Sequence, residues 1–100
     1  MTVLMTLRVA GDGKQLEAHV DSAMMAEILD TAKRHGVIAH RFYANDTELL
    51  VVDRWPSEEA FTTFFEEERP RIQQLMAQAG VSAEPVVTFW RPLETGDAID

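Results

Sequence analysis

His40-Arg41-Phe42-Tyr43 places an imidazole, a guanidinium and a phenol within four consecutive residues. An imidazole is suited to taking a proton near neutral pH, and a guanidinium to holding the anion that proton loss creates. Together they could abstract a proton from an acidic phenol or enol. Tyr43 is the second choice for the base. In an extended segment alternate side chains point to opposite faces, so His40 lies on one face and Arg41 and Tyr43 on the other. The residues alone leave open which face meets the rest of the protein. Arg8, Arg54 and Arg91 pose the same question in other segments. A buried charge must be paired or line a wet cavity, and Asp53 and Glu48 are available partners.

Trp55, Phe64 and Trp90 are large enough to line a pocket for an aromatic ligand. A Trp at a strand end and a Phe on a helical stripe also serve as ordinary core. His19, His35 and His40 are separated by 16 and 5 residues, which matches no common metal-ligand spacing. Glu66-Glu67-Glu68 reads as a solvated helix end, its adjacent carboxylates too divergent to converge on a metal. No metal site or bound cofactor is expected. The chain has no cysteine, which excludes a disulfide framework, a zinc knuckle and a thiol nucleophile. Seventeen acidic against nine basic residues give a net charge of −8, unfavourable for nucleic acid or an anionic membrane surface.

These residues must be positioned by a single domain, since 100 residues suit one core and not two. No apolar run approaches the roughly 20 residues of a membrane-spanning helix. Residues 1–10 lack the basic start and apolar middle of a secretory leader, so a cytoplasmic location is expected. Thr2 to Val9 alternates as a strand with β-branched residues, and Gly11-Asp12-Gly13 stops it. Leu16, Val20, Met25, Ile28, Leu29 and Ala32 follow helical spacing. Asp21-Ser22 offers a second N-cap, which predicts two helical pieces, 14–20 and 22–35, or one bent helix. Gly36 is placed to end it, with Lys33, Arg34 and His35 in the last turn.

Residues 37–44 and 48–55 then read as an antiparallel hairpin around Asn45-Asp46. Ser57 caps a helix whose inward stripe is Ala60, Phe61, Phe64 and Phe65. Pro70 predicts a kink or break near Arg69, followed by a second piece ending at Gly80. Residues 86–91 form the last strand, the domain is expected to span 1–93, and 94–100 read as a polar tail. The order βαββαβ with two right-handed crossovers predicts an α+β, ferredoxin-like, four-stranded antiparallel sheet with helices on one face. Both faces of its strands are apolar. One face therefore needs a second cover, and another copy of the chain is the simplest.

Val51-Val52-Asp53-Arg54-Trp55-Pro56-Ser57-Glu58-Glu59-Ala60-Phe61 resembles the strand-to-helix signature of the antibiotic biosynthesis monooxygenase-like domains. In those domains a hydrophobic strand ends in Trp and is followed by a Ser or Asp cap, acidic residues and an apolar helix face. The likeness extends over nearly the whole chain in the order and length of elements. It implies a dimeric α/β barrel, a homodimer in which two sheets pack face to face. It also implies a choice among cofactor-free oxygenases of polycyclic phenols, haem-degrading enzymes and stress-associated barrels. Counting from Trp55, the haem-contacting Trp of the second group would fall at Phe64 and its axial His near Gln74 or Leu75. The first strand also lacks that group's Asn. Without an axial nitrogen there is no ligand for haem iron, so haem degradation is disfavoured. Two readings remain. One is a cofactor-independent monooxygenase of aromatic, polyketide-like molecules, with His40, Arg41 and Tyr43 as its chemistry and Trp55, Phe64 and Trp90 around the ligand. The other is a non-catalytic, ligand-binding or stress-associated barrel.

Overall fold

The computed structural model describes residues 2–99. Along the chain these form β1 (Val3–Ala10), α1 (Gly13–His19), α2 (Ser22–Arg34), β2 (Ala39–Ala44), β3 (Glu48–Trp55), α3 (Glu58–Gln78) and β4 (Val86–Trp90). The first helical region is two helices, because each start has its own cap. Asp12 accepts the Lys14 amide at 2.9 Å, and Asp21 accepts the Met24 amide at 3.0 Å. Ser57 does the same for Ala60 at 3.1 Å, with Glu58 and Glu59 in the positive first turn of α3.

The two Gly-Val pairs end α2 and α3 by one geometry. The Val37 amide donates to Ala32 and the Gly36 amide to Lys33; Val81 donates to Met76 and Gly80 to Ala77. Gly36 and Gly80 have φ of 91° and 75°, the left-handed conformation this closure needs. Because the Val37 amide is committed to α2, β2 starts at Ala39 rather than at residue 37.

The four strands form one antiparallel sheet in the order β2-β3-β1-β4, the ferredoxin-like arrangement. Met5, Leu7 and Val9 of β1 and Leu49, Val51 and Trp55 of β3 share one face. They pack with Ile28 and Ala32 of α2 and with Phe61, Phe64 and Leu75 of α3. The opposite face carries Leu4, Thr6, Leu50 and Val52, flanked by Tyr43, Val86, Thr88 and Trp90. In register, Thr6 lies between Val52 and Thr88, and Leu4 between Arg54 and Trp90. Tyr43 and Trp90 remain 51% and 53% exposed on this uncovered face, which mixes apolar residues with Arg8, Arg41 and Arg54. None of the helices among the described residues is long and apolar enough to cross a membrane.

Two expectations about α3 are corrected. Of the kink or break expected near Arg69, the break does not occur: one helix runs through Pro70. Proline removes one backbone donor, and a 21-residue helix anchored by Phe61 and Phe64 before it and Leu75 after it can absorb that loss. Glu68, read as solvated, is 3% exposed. It is turned between α2 and α3, where Thr31 Oγ1 donates to its Oε1 at 2.8 Å and Arg71 Nε lies 3.5 Å from Oε2. Oε1 is hydrogen-bonded, while Oε2 has no hydrogen bond among the described residues and is offset only by the Arg71 charge. Glu67 beside it meets His35 at 3.1 Å in an exposed contact, so Glu66 and Glu67 both keep the solvated role.

Candidate functional site

Between the sheet and its helices lies a cavity of about 540 Å³. Its walls are mostly apolar: Met5, Leu7 and Val51 from the sheet, Met25 and Ile28 from α2, Phe61, Phe64 and Phe65 from α3. Polar groups enter at few places, chiefly His40, Asp53, Arg69, Gln73 and Glu84. An apolar chamber with a few placed polar groups is the usual form of a small-molecule site.

His40 and Asp53 are direct partners across the β2–β3 pair and share the helix-facing side. Nδ1 of His40 lies 2.7 Å from Oδ1 of Asp53, and Trp55 Nε1 donates to Oδ2 at 3.0 Å. Both carboxylate oxygens are thus engaged, which is what keeps an acid group only 5% exposed in place. A carboxylate only accepts, so Nδ1 carries the hydrogen and the lone pair of the neutral ring is on Nε2. The His40 side chain is 26% exposed, packs edge-on against Phe42 with centroids 5.2 Å apart, and reaches the cavity wall. An imidazole held this way can receive a proton at Nε2 while Asp53 steadies the resulting cation.

The other sequence candidates are spread over both faces. Phe64 lines the cavity. Trp55 is fully buried behind the wall, against Phe61 and Phe64 at centroid distances of 5.6 and 5.2 Å, and supports Asp53 without lining the chamber. Arg41 and Tyr43 lie on the opposite side of the sheet. An arginine to hold a substrate anion next to His40 is therefore not supplied by Arg41. Trp90 is also on that opposite side, where its Nε1 donates to Thr6 Oγ1 at 2.9 Å. Glu48 pairs with Arg8 at 3.0 Å. Among the described residues no three His, Cys, Asp or Glu side chains are grouped to hold a metal.

Sequence reasoning named Asp53 only as a partner for an arginine and did not single out Arg69 beyond the break at Pro70. The first was recoverable. Counting outward from the Ala44–Leu49 pair beside the turn brings His40 opposite Asp53. Arg69 carried no signal, because the side of a helix that borders a cavity depends on how the helix is docked.

A four-stranded antiparallel sheet with helices on one face is the fold of the antibiotic biosynthesis monooxygenase-like domains. Comparison with solved structures gives that fold directly. The chain is similar to the cofactor-independent oxygenase SnoaB from Streptomyces nogalater, with a TM-score of 0.61 and 17% identity over 94% of this chain and 97% of that one. It is similar to a monooxygenase from Streptomyces coelicolor solved with the ligand nanaomycin D, with a TM-score of 0.64 and 14% identity over 93% and 88%. A third likeness is to Rv0793 from Mycobacterium tuberculosis, with a TM-score of 0.60 and 18% identity over 97% and 100%. No protein-family profile and no curated protein sequence matches the chain. The chain has the antibiotic biosynthesis monooxygenase-like fold, as the signature around Trp55 led one to expect.

Proposed function

We propose that the protein is a cofactor-independent oxygenase of aromatic, polyketide-like phenols, working in the cavity between sheet and helices. The observation that carries this is the His40–Asp53 pair at the wall of an aromatic chamber. His40 Nε2 takes a proton from an anthrone-type methylene or its enol, and Asp53 stabilises the imidazolium. The imidazolium in turn faces the substrate anion, so no arginine is required at that point. The electron-rich anion passes electrons to dioxygen and bonds to it, and His40 returns the proton to give a hydroperoxide. Loss of water then leaves a ketone, so that CH₂ and O₂ become C=O and H₂O. The substrate supplies the electrons. The protein supplies the base, the orientation and a dry chamber. The fold likeness to SnoaB, described as a cofactor-independent oxygenase, supports the reading.

The test is oxygen uptake with a panel of anthrone- and naphthol-type substrates, repeated with His40→Ala. Stoichiometric uptake that depends on His40 is expected. Turnover unchanged by the substitution overturns the assignment.

A second reading, ligand binding without turnover, is favoured by one observation. Arg41 and Tyr43 point away from the chamber, leaving it few groups for chemistry. Saturable binding of the same panel with no oxygen consumption would select it.

Under either reading the proposed partner is a second copy of the chain, packed on the uncovered sheet face. That face offers Leu4, Leu50, Val52, Tyr43 and Trp90 with no helix over it, a surface a lone soluble chain rarely leaves open.

A further inference from the structure

Arg69 lines the cavity, and among the described residues no carboxylate lies within ion-pairing distance of it. Arg8 and Arg71, by contrast, are paired with Glu48 and Glu27. Arg69 is also exposed, so its guanidinium is open to an incoming anion. Its Cζ sits 5.3 Å from the Phe65 ring centroid; that ring stacks on Phe61 at 5.3 Å, which meets Phe89 of β4 at 5.7 Å. Arg69 thus enters the cavity from α3, whereas His40 enters it from the edge strand β2.

We propose that the cavity takes an elongated, largely apolar ligand with one carboxylate at Arg69 and an uncharged hydroxylated end at His40. The proposal rests on the oxygenase reading for what happens at His40, but binding at Arg69 stands apart from it. Two charges fix the orientation. The Asp53 carboxylate repels an acid group from the His40 end, and Arg69 draws it to the other. Glu84 also borders the cavity, so a ligand with several negative charges is refused while a single acid paired with Arg69 is accepted. Between the two ends the apolar floor of Met5 and Leu7 requires an apolar body. The cation over the Phe65 face keeps the guanidinium plane steady for a two-pronged contact with a carboxylate.

The experiment is calorimetric titration, under nitrogen, of the full chain with 6-hydroxy-2-naphthoate and with its methyl ester. The acid is expected to bind about tenfold more tightly than the ester, the size of one charge-assisted contact. Arg69→Gln should bring the ratio near one. Lys14→Gln removes the same charge from an exposed site on α1 and should leave the ratio unchanged. Equal affinity of acid and ester, binding of neither, or a preference that survives Arg69→Gln overturns the proposal. Oxygen uptake is then measured separately. An Arg69-dependent acid preference without uptake upholds this site and rejects the oxygenase reading. Uptake of neutral naphthols without acid preference does the reverse.

Discussion

His40 Nδ1 and Asp53 Oδ1 stand 2.7 Å apart, although thirteen residues separate them, because the β2–β3 hairpin sets them directly opposite one another. Trp55 Nε1 holds the other carboxylate oxygen from two residues further along β3. The unit is therefore built from one hairpin and is fixed before any ligand arrives. A base whose tautomer and direction are set in advance needs no reorganisation at the moment of proton transfer.

His40→Ala should lower turnover by about 10²–10⁴, the usual contribution of a positioned general base. The melting temperature should also fall, because the buried Asp53 Oδ1 loses its partner, so a specific loss of turnover is read against Asp53→Asn as the stability control. Oxygen consumption and thermal denaturation check the two halves. A large loss of stability with no specific effect on turnover would make His40 a structural residue.

Asp53→Asn keeps an acceptor oxygen for Trp55 Nε1 but turns an amide donor toward His40 Nδ1, so the ring must carry its hydrogen on Nε2 instead. Exchanging charge-assisted for neutral hydrogen bonds should cost about 1 kcal/mol of stability. Imidazole nitrogen chemical shifts should report that the hydrogen no longer resides on Nδ1. Trp55→Phe strips the Nε1 donor and also removes part of the largest fully buried side chain, so it should cost more stability than Asp53→Asn. Urea denaturation separates the two variants.

Leu4→Asp and Val52→Asp place a charge on the helix-free face, where register puts Thr6 between Val52 and Thr88. Sedimentation equilibrium should show a homodimer for the parent at micromolar concentration and its loss in both variants. Val51→Asp, of opposite parity and buried in the core, should instead unfold the chain whatever its assembly. A folded parent of 11.3 kDa would remove the dimer from the proposal.

Hemin titration should give only weak, non-specific spectral change, since Phe64, Gln74 and Leu75 stand where the resemblance would require a Trp and an axial His. A sharp Soret shift at one haem per chain, followed by ascorbate-driven bleaching, is the contrary result.

Pro70→Ala should stabilise the protein by about 1–2 kcal/mol. Restoring the helical amide donor is worth more than the proline's restriction of the unfolded chain. Pro70 is exposed and inside α3, so no core packing opposes the change. A lower urea midpoint would show that the ring itself contributes to the fold.

Local chemistry determined much of this molecule. Asp21, Ser57, Gly36 and Gly80 each mark a helix end through hydrogen bonds within a few residues, so the sequence displays them openly. Strand alternation likewise separates His40 from Arg41 and Tyr43 without any tertiary information. What alternation cannot say is which face the helices cover, because both faces of these strands are apolar and the choice lies in how α2 and α3 dock. That docking alone put His40 and Asp53 inside, turned Arg41, Tyr43 and Trp90 outward, and brought Arg69 to the cavity. It also buried Glu68, whose place beside Glu66 and Glu67 reads as solvent but whose partner Thr31 lies on another helix. Proline at 70 is the converse case. A local signal strong enough to predict a break was outweighed by apolar anchors on either side of it, since packing over a long helix exceeds the loss of one backbone hydrogen bond.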